Sequence, residues 1–215
     1  MKVERDKIYD LWNRVCTTSD DKAFEALFYL LNNKLIRFCV LYVHQREIAE
    51  EIVSDAFVKC WINRASLAEV QNPSSYLFVA VKNLSLNYVK KFSSIHLVEL
   101  DHTDNVQLIN VNDPQKELEN KELYFKMDQA IDSLPRQCRI VFRLIKEDEM
   151  KYKEVAEILN ISPRTVQTQL FRAVKKLGVV LLDYQNPDLQ NGFNQRNILS
   201  AIIIIWALQI FFSGL

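Results

Sequence analysis

The sequence predicts an all-α protein: two small helical domains joined by a linker and followed by an apolar C-terminal tail. Three observations predict it. Only 3 Gly and 5 Pro occur in 215 residues, too little turn chemistry for a many-stranded sandwich, a barrel or a glycine-rich nucleotide fold. A composition 49% apolar and 25% charged supplies packed cores rather than disorder. Apolar residues also recur at helical spacing in two blocks, 1–92 and 122–183, separated by an acidic stretch.

In the first block, Phe24, Leu27, Phe28, Leu31, Leu35, Phe38 and Tyr42 form one helical stripe. Ile48, Ile52, Val53, Ala56, Phe57, Cys60 and Trp61 form a second. Leu77, Ala80, Val81, Leu84 and Tyr88 form a third, set off by Pro73-Ser74-Ser75, with Ser75 as the expected cap. A bundle of three or four helices follows from these stripes. Residues 93–121 hold 2 basic against 6 acidic side chains and only short alternating apolar pieces, which predicts a linker, with a weak hairpin as the other reading. In the second block, Leu123, Met127, Ile131 and Leu134 mark a helix ended by Pro135, and Cys138, Val141, Phe142 and Ile145 mark the next.

With 27 basic and 27 acidic side chains the chain is neutral overall, so any nucleic-acid contact must come from a local patch. Cys16, Cys39, Cys60 and Cys138 lack Cys-x-x-Cys spacing and read as reduced core thiols. His44, His96 and His102 have neither a nucleophile partner nor metal-ligand spacing, so no catalytic set, metal or cofactor is expected. Acids in the first residues, Met1-Lys2-Val3-Glu4-Arg5-Asp6, argue against an export signal and for a cytoplasmic protein.

The strongest pattern begins at Tyr152. Residues 152–159 have the length of a short helix, Asn160 suits the left-handed residue that closes it, and Ile161 suits the gap beneath the turn. Ser162 and Pro163 then suit a helix start, and Val166, Leu170, Ala173, Val174 and Leu177 give a second helix its buried stripe. This is a helix-turn-helix pattern. The opposite face carries Arg164, Thr165, Gln167, Thr168, Gln169, Arg172, Lys175 and Lys176, with no acid between Arg164 and Lys176. Arg and Gln can pair with base edges in a major groove, while Thr and Lys can hold phosphates. The plainer alternative is a solvated helix that only completes a small bundle.

The chain resembles the extracytoplasmic-function sigma factors, two-domain members of the sigma-70 family of bacterial RNA polymerase. The resemblance lies in Arg46 to Trp61, Tyr76 to Asn83, Ile131-Asp132-Ser133-Leu134-Pro135, and the run Thr165-Val166-x-x-x-Leu170-x-Arg172-Ala173, in that order. It implies a region 2-like helical bundle over 1–92, a linker over 93–121 and a region 4-like helix-turn-helix domain over 122–183. It also implies a promoter-recognition subunit rather than an enzyme. Glu50, Glu51 and Asp55 would meet the β′ coiled coil of core polymerase, and the second domain the β flap. Arg64 to Asn72 would be the minus-ten loop, with Arg64, Lys82, Asn83, Asn87, Lys90 and Lys91 beside the melted strand. The helix from Arg164 would read the minus-thirty-five element, and an anti-sigma factor is an expected partner. Tyr76, Phe78 and Tyr88 read as core aromatics before base-stacking ones. Gln167 and Gln169 stand where many relatives are basic, so the base preference is this chain's own.

The tail, 184–215, is an addition to the family pattern and carries no charge from Ile198 to Leu215. It is at the short limit of the roughly 20 residues that span a bilayer. Two readings stand: packing onto the protein or a partner groove, and membrane association with Arg196 as the cytoplasmic flank. Two other functions remain as alternatives: a stand-alone helix-turn-helix regulator, and a tail-anchored helical adaptor.

Overall fold

The computed structural model describes residues 2–92 and 127–185. Its elements are α1 (Lys2–Thr18), α2 (Asp21–Val43), α3 (Arg46–Ile62), a 3-10 turn (Arg64–Leu67), α4 (Pro73–Phe92), α5 (Arg136–Lys146), α6 (Tyr152–Leu159) and α7 (Pro163–Gln185). Residues 127–132 are also helical, and no strand occurs among the described residues. The expected all-α class is what the chain adopts. The linker and the tail lie outside the described residues, as do Leu123, His96 and His102.

Among the described residues two compact units emerge: 2–92 with 148–163, and 127–147 with 164–185. In the first, α2 is the central rod. Leu27, Leu31 and Leu35 are 0–1% exposed, and burial of each such side chain contributes about 1.5–3 kcal/mol. By length and composition α2 could cross a membrane, but its apolar stripe is the bundle core. It begins at Asp20, whose Oδ1 accepts the Ala23 N–H at 3.0 Å while Arg14 donates to Oδ2 at 2.7 and 3.1 Å. The Ala23 N–H first, and Arg14 after it, hold the Asp20 carboxyl below its ordinary pKa. The helix closes on His44 in the left-handed conformation (φ 59°), whose N–H reaches the Val40 carbonyl at 2.9 Å. His44 is therefore an exposed helix stop.

Helix α3 buries Ala49, Ile52, Val53, Ala56, Phe57 and Cys60. Phe57 meets Phe24 and Phe28 edge-on at centroid distances of 6.0 and 4.9 Å. From α1, Trp12 is fully buried and its indole N–H donates to the Leu67 carbonyl at 3.1 Å, tying down the 3-10 turn. Helix α4 starts one turn earlier than its serines suggest. Asn72 Oδ1 accepts the Ser75 N–H at 3.1 Å and Pro73 takes the first helical position, where its missing N–H costs nothing. Ser75, expected as the cap, is buried inside the first turn.

The segment Asp148–Pro163 groups with this first unit, not with the rest of the block 122–183 in which the sequence places it. Helix α6 lies on α4, and four polar contacts fasten the segment. Arg5 pairs with Glu154 at 2.9 Å and Asn72 Nδ2 donates to the same carboxylate at 3.3 Å. Lys82 Nζ donates to the Ile158 carbonyl at 2.6 Å, and Arg37 pairs with Asp148 at 3.3 Å.

In the second unit, Met127, Ile131 and Leu134, then Cys138, Val141, Phe142 and Leu144, are buried, as are Val166, Leu170, Ala173 and Leu177 of α7. Arg143 and Arg139 both approach Asp132, at 3.2 and 3.8 Å. All four cysteines are free and buried. Burial, with the neighbouring Cys16 sulfur a lesser cause, pushes the Cys60 thiol up to about 12.

Candidate nucleic-acid and polymerase interface

Helix α6 is short because its sequence provides both ends. The Glu154 carboxylate reaches back to the Lys151 N–H at 2.7 Å. At the other end Asn160 is left-handed (φ 55°, ψ 50°), the Ile161 N–H reaches the Ala156 carbonyl at 3.0 Å, and the Asn160 N–H reaches Glu157 at 3.2 Å. These two bonds make a Schellman stop, as the Asn160-Ile161 pair predicts. Pro163 then opens α7.

On α7, Val166, Leu170, Ala173 and Leu177 are buried, while Arg164, Gln167, Thr168, Arg172, Lys175 and Lys176 are exposed and Thr165 and Gln169 are half-buried. The expected face thus exists, free of acid. Two of its members are turned inward toward their own unit. Gln169 Oε1 accepts the Cys138 thiol at 3.0 Å and its amide donates to Gln137 at 3.3 Å. Lys176 Nζ donates to the Ser133 carbonyl at 2.5 Å. Phe171 is a residue that the sequence reading missed. It is 69% exposed within the basic face, and the available signal was an aromatic side chain placed off the buried 166/170/173/177 stripe.

The proposed minus-ten residues divide in the same way. Asn83, Asn87, Lys90 and Lys91 are exposed along α4. Arg64 is committed to the fold: its Nε donates to Ser19 Oγ at 2.8 Å, its Nη1 donates to the Trp61 carbonyl at 2.7 Å, and the guanidinium lies 4.4 Å from the Trp61 ring centroid. Lys82 is half-buried, and loss of hydration lowers its pKa. Phe78 is fully buried in the core, while half-buried Tyr76 packs edge-on against Trp12 at 5.6 Å. Half-buried Tyr88 stacks on Phe92 at 4.5 Å.

On α3, Glu50, Glu51 and Asp55 are exposed and share one acidic face with Glu47 and Ser54. Arg46 reaches Glu50 at 2.8 Å, an i,i+4 pair. The same face continues into Val58 and Ile62, 54% and 68% exposed, which the sequence reading had not assigned. Acids at one end and bare aliphatic side chains at the other suit a protein partner with a basic and apolar surface.

Two family models match the chain in the order its architecture requires: "Sigma-70 region 2" over residues 27–94 and "Sigma-70, region 4" over 124–177. The chain belongs to the sigma-70 family, in its extracytoplasmic-function branch. It is 27% identical over 171 residues to the ECF RNA polymerase sigma factor SigW of Bacillus subtilis (strain 168), covering 76% of this chain and 91% of that protein. It is 24% identical over 161 residues to the ECF RNA polymerase sigma-E factor of Escherichia coli (strain K12), covering 72% and 84%. The fold matches the sigma factor RpoE from Bartonella quintana, solved in complex with the anti-sigma factor NepR (TM-score 0.57, 18% identity, 74% of this chain and 97% of that one). It also matches CnrH, solved in complex with the cytosolic domain of CnrY (TM-score 0.54, 17% identity, 81% and 97%). As an RNA polymerase sigma factor, the chain acts in transcription initiation.

Proposed function

We propose that this sigma factor divides promoter recognition between its two family regions and performs no chemistry of its own. In the region 2 part, Glu50, Glu51 and Asp55, extended by Val58 and Ile62, dock on the β′ coiled coil of core polymerase. Asn83, Asn87, Lys90 and Lys91 then lie along the melted minus-ten strand, and Lys82 joins them once it leaves the Ile158 carbonyl. In the region 4 part, α7 enters the major groove of the minus-thirty-five element while the polymerase β flap holds the domain. Arg164, Gln167, Thr168, Arg172 and Lys175 face the DNA.

One observation carries this reading. From Arg164 to Lys176, the α7 face opposite Val166, Leu170, Ala173 and Leu177 carries exposed Arg, Gln, Thr and Lys and no acid. An ordinary solvated helix has both charge signs interspersed, whereas a duplex-binding helix excludes the sign that phosphates repel. The protein works in the cytoplasm, where the polymerase is, and is held inactive by an anti-sigma factor. The uncharged stretch Ile198–Leu215 adds a self-packing or membrane-associating segment to the family plan.

Reconstituted transcription tests the whole reading. Full-length chain added to core polymerase should give specific starts on a genomic template that core alone does not give. Its absence, with specific operator binding by the chain alone, would favour a stand-alone regulator. Deleting residues 184–215 should leave the start sites unchanged, and flotation of the intact chain with liposomes reads the tail separately.

A further inference from the structure

We infer that Gln169 is a positioning residue and not a base reader. Held by Cys138 and Gln137 of α5, it fixes the rotation of α7 about its own axis, with Lys176 as a second strut on Ser133. The inference rests on α7 being the promoter-reading helix and narrows which of its side chains read.

Cys138 is 3% exposed and its thiol has one hydrogen, given to Gln169 Oε1 at 3.0 Å. That bond fixes which end of the amide faces inward. The amide nitrogen then donates to Gln137 Oε1 at 3.3 Å. A glutamine that reads adenine must turn its oxygen and its nitrogen together toward one base edge; here each atom keeps a further lone pair or hydrogen, but both are held toward α5. Lys176, seven residues further along the same side of the helix, delivers its ammonium to the Ser133 carbonyl at 2.5 Å. That carbonyl lies at the end of the helix of residues 127–132, where a cation is favoured. Two struts two turns apart define a rotation angle. Successive residues are about 100° apart around an α-helix, so a small rotation moves every groove-facing tip together, and misplacement by about 1 Å is enough to lose contacts. Arg164, Gln167, Thr168, Phe171 and Lys175 are left on the exposed side, with Arg172 at its margin.

Because the promoter is not defined, the probe is a duplex library randomised across the minus-thirty-five segment. It is selected by holoenzyme made from the full chain and core polymerase and read as base preference at each position. Gln169→Ala and Cys138→Ala should each lower preference at all read positions together, about three- to tenfold, a loss of the size expected for one structural hydrogen bond. Cys138→Ser, which keeps a donor, should restore the wild-type pattern. Gln169→Glu should retain it too, because the carboxylate still accepts from Cys138 and the Gln137 amide can turn to donate. A direct reader given a carboxylate would instead change its base. A change confined to one position in Gln169→Ala or Gln169→Glu overturns the inference, as does a Cys138→Ala profile equal to wild type. Loss of thermal stability without any change in preference also overturns it. If wild-type holoenzyme shows no preferred base in the segment, or Arg172→Ala leaves the preference pattern and affinity untouched, the failure belongs to the promoter-reading assignment of α7 and takes the inference with it.

Discussion

Helices α3 and α7 are built alike and present opposite surfaces. Each buries one apolar stripe and exposes a face dominated by one sign of charge, acidic around Glu50, Glu51 and Asp55 and basic from Arg164 to Lys176. Each also carries bare apolar side chains within that face, Val58 and Ile62 on one and Phe171 on the other. The difference lies in how much of the charge is committed at home. On α3, Arg46 neutralises Glu50 at 2.8 Å, while Gln169 and Lys176 of α7 are drawn onto neighbouring elements by several residues of their own unit. A face that meets another protein needs charge and exposed area, whereas a face that enters a groove also needs its angle set.

The most direct way to break this comparison is to reverse the α3 face. Glu51→Lys with Asp55→Lys should weaken binding to core polymerase about a hundredfold, since like-charge contact at an interface costs several kcal/mol. Both positions are exposed, so the melting curve should hold. Fluorescence anisotropy with labelled protein checks the first and calorimetry the second. A variant that binds normally would remove α3 from the polymerase contact.

A smaller effect is expected on α7, and there the pattern matters more than the size. Arg172→Ala should cost about 1–3 kcal/mol at one base pair, while Lys175→Ala should weaken all sequences evenly and reduce the salt slope by about one. Holoenzyme binding to promoter duplexes at several salt concentrations distinguishes the two. An even loss for Arg172 would make it a phosphate contact.

The smallest effect belongs to neither face and serves as a control for the first unit's scaffold. The Asp20 carboxyl is held below its ordinary pKa by the Ala23 N–H and by Arg14. Its contribution is therefore present above the pKa of the unfolded chain and is lost as pH falls through the lower folded value. Asp20→Asn keeps a cap but gives up that dependence. The stability gap between wild type and the variant should be constant near neutrality and close in acid, as read by denaturant midpoints across pH. A gap independent of pH would show that the ionised carboxylate adds nothing to the cap.

Much of this architecture was legible in the sequence because it depends on local chemistry. The break between α6 and α7 could be read from Asn160 and Ile161, which must close one helix before Pro163 opens another. The α2 and α3 stripes could be read because a 3.6-residue period survives whatever neighbours a helix acquires. Long polar side chains were not legible in the same way. Periodicity places Gln169, Lys176, Lys82 and Arg64 on the polar side of their helices or turns. It says nothing of the Cys138 thiol, the carbonyls of Ser133 and Ile158, or the Trp61 ring and carbonyl that they find there. The grouping of Asp148–Pro163 with the first unit was hidden for the same reason, since its anchors Arg5, Arg37, Asn72 and Lys82 are scattered through three helices and a loop. Asn72 as the α4 cap could have been found: an Asn directly before Pro73 is a stronger start signal than a serine two residues inside.

The burial of all four sulfurs has a practical corollary. Protonated and packed away, they are poor targets for maleimide near neutral pH, so the native chain needs no cysteine replacement before dye attachment. A single cysteine introduced at an exposed site such as Asn87 on α4, or Lys175 on α7, would be the preferred point of labelling. Paired dyes at those two sites would make the spacing of the chain's two regions measurable before and after polymerase is added.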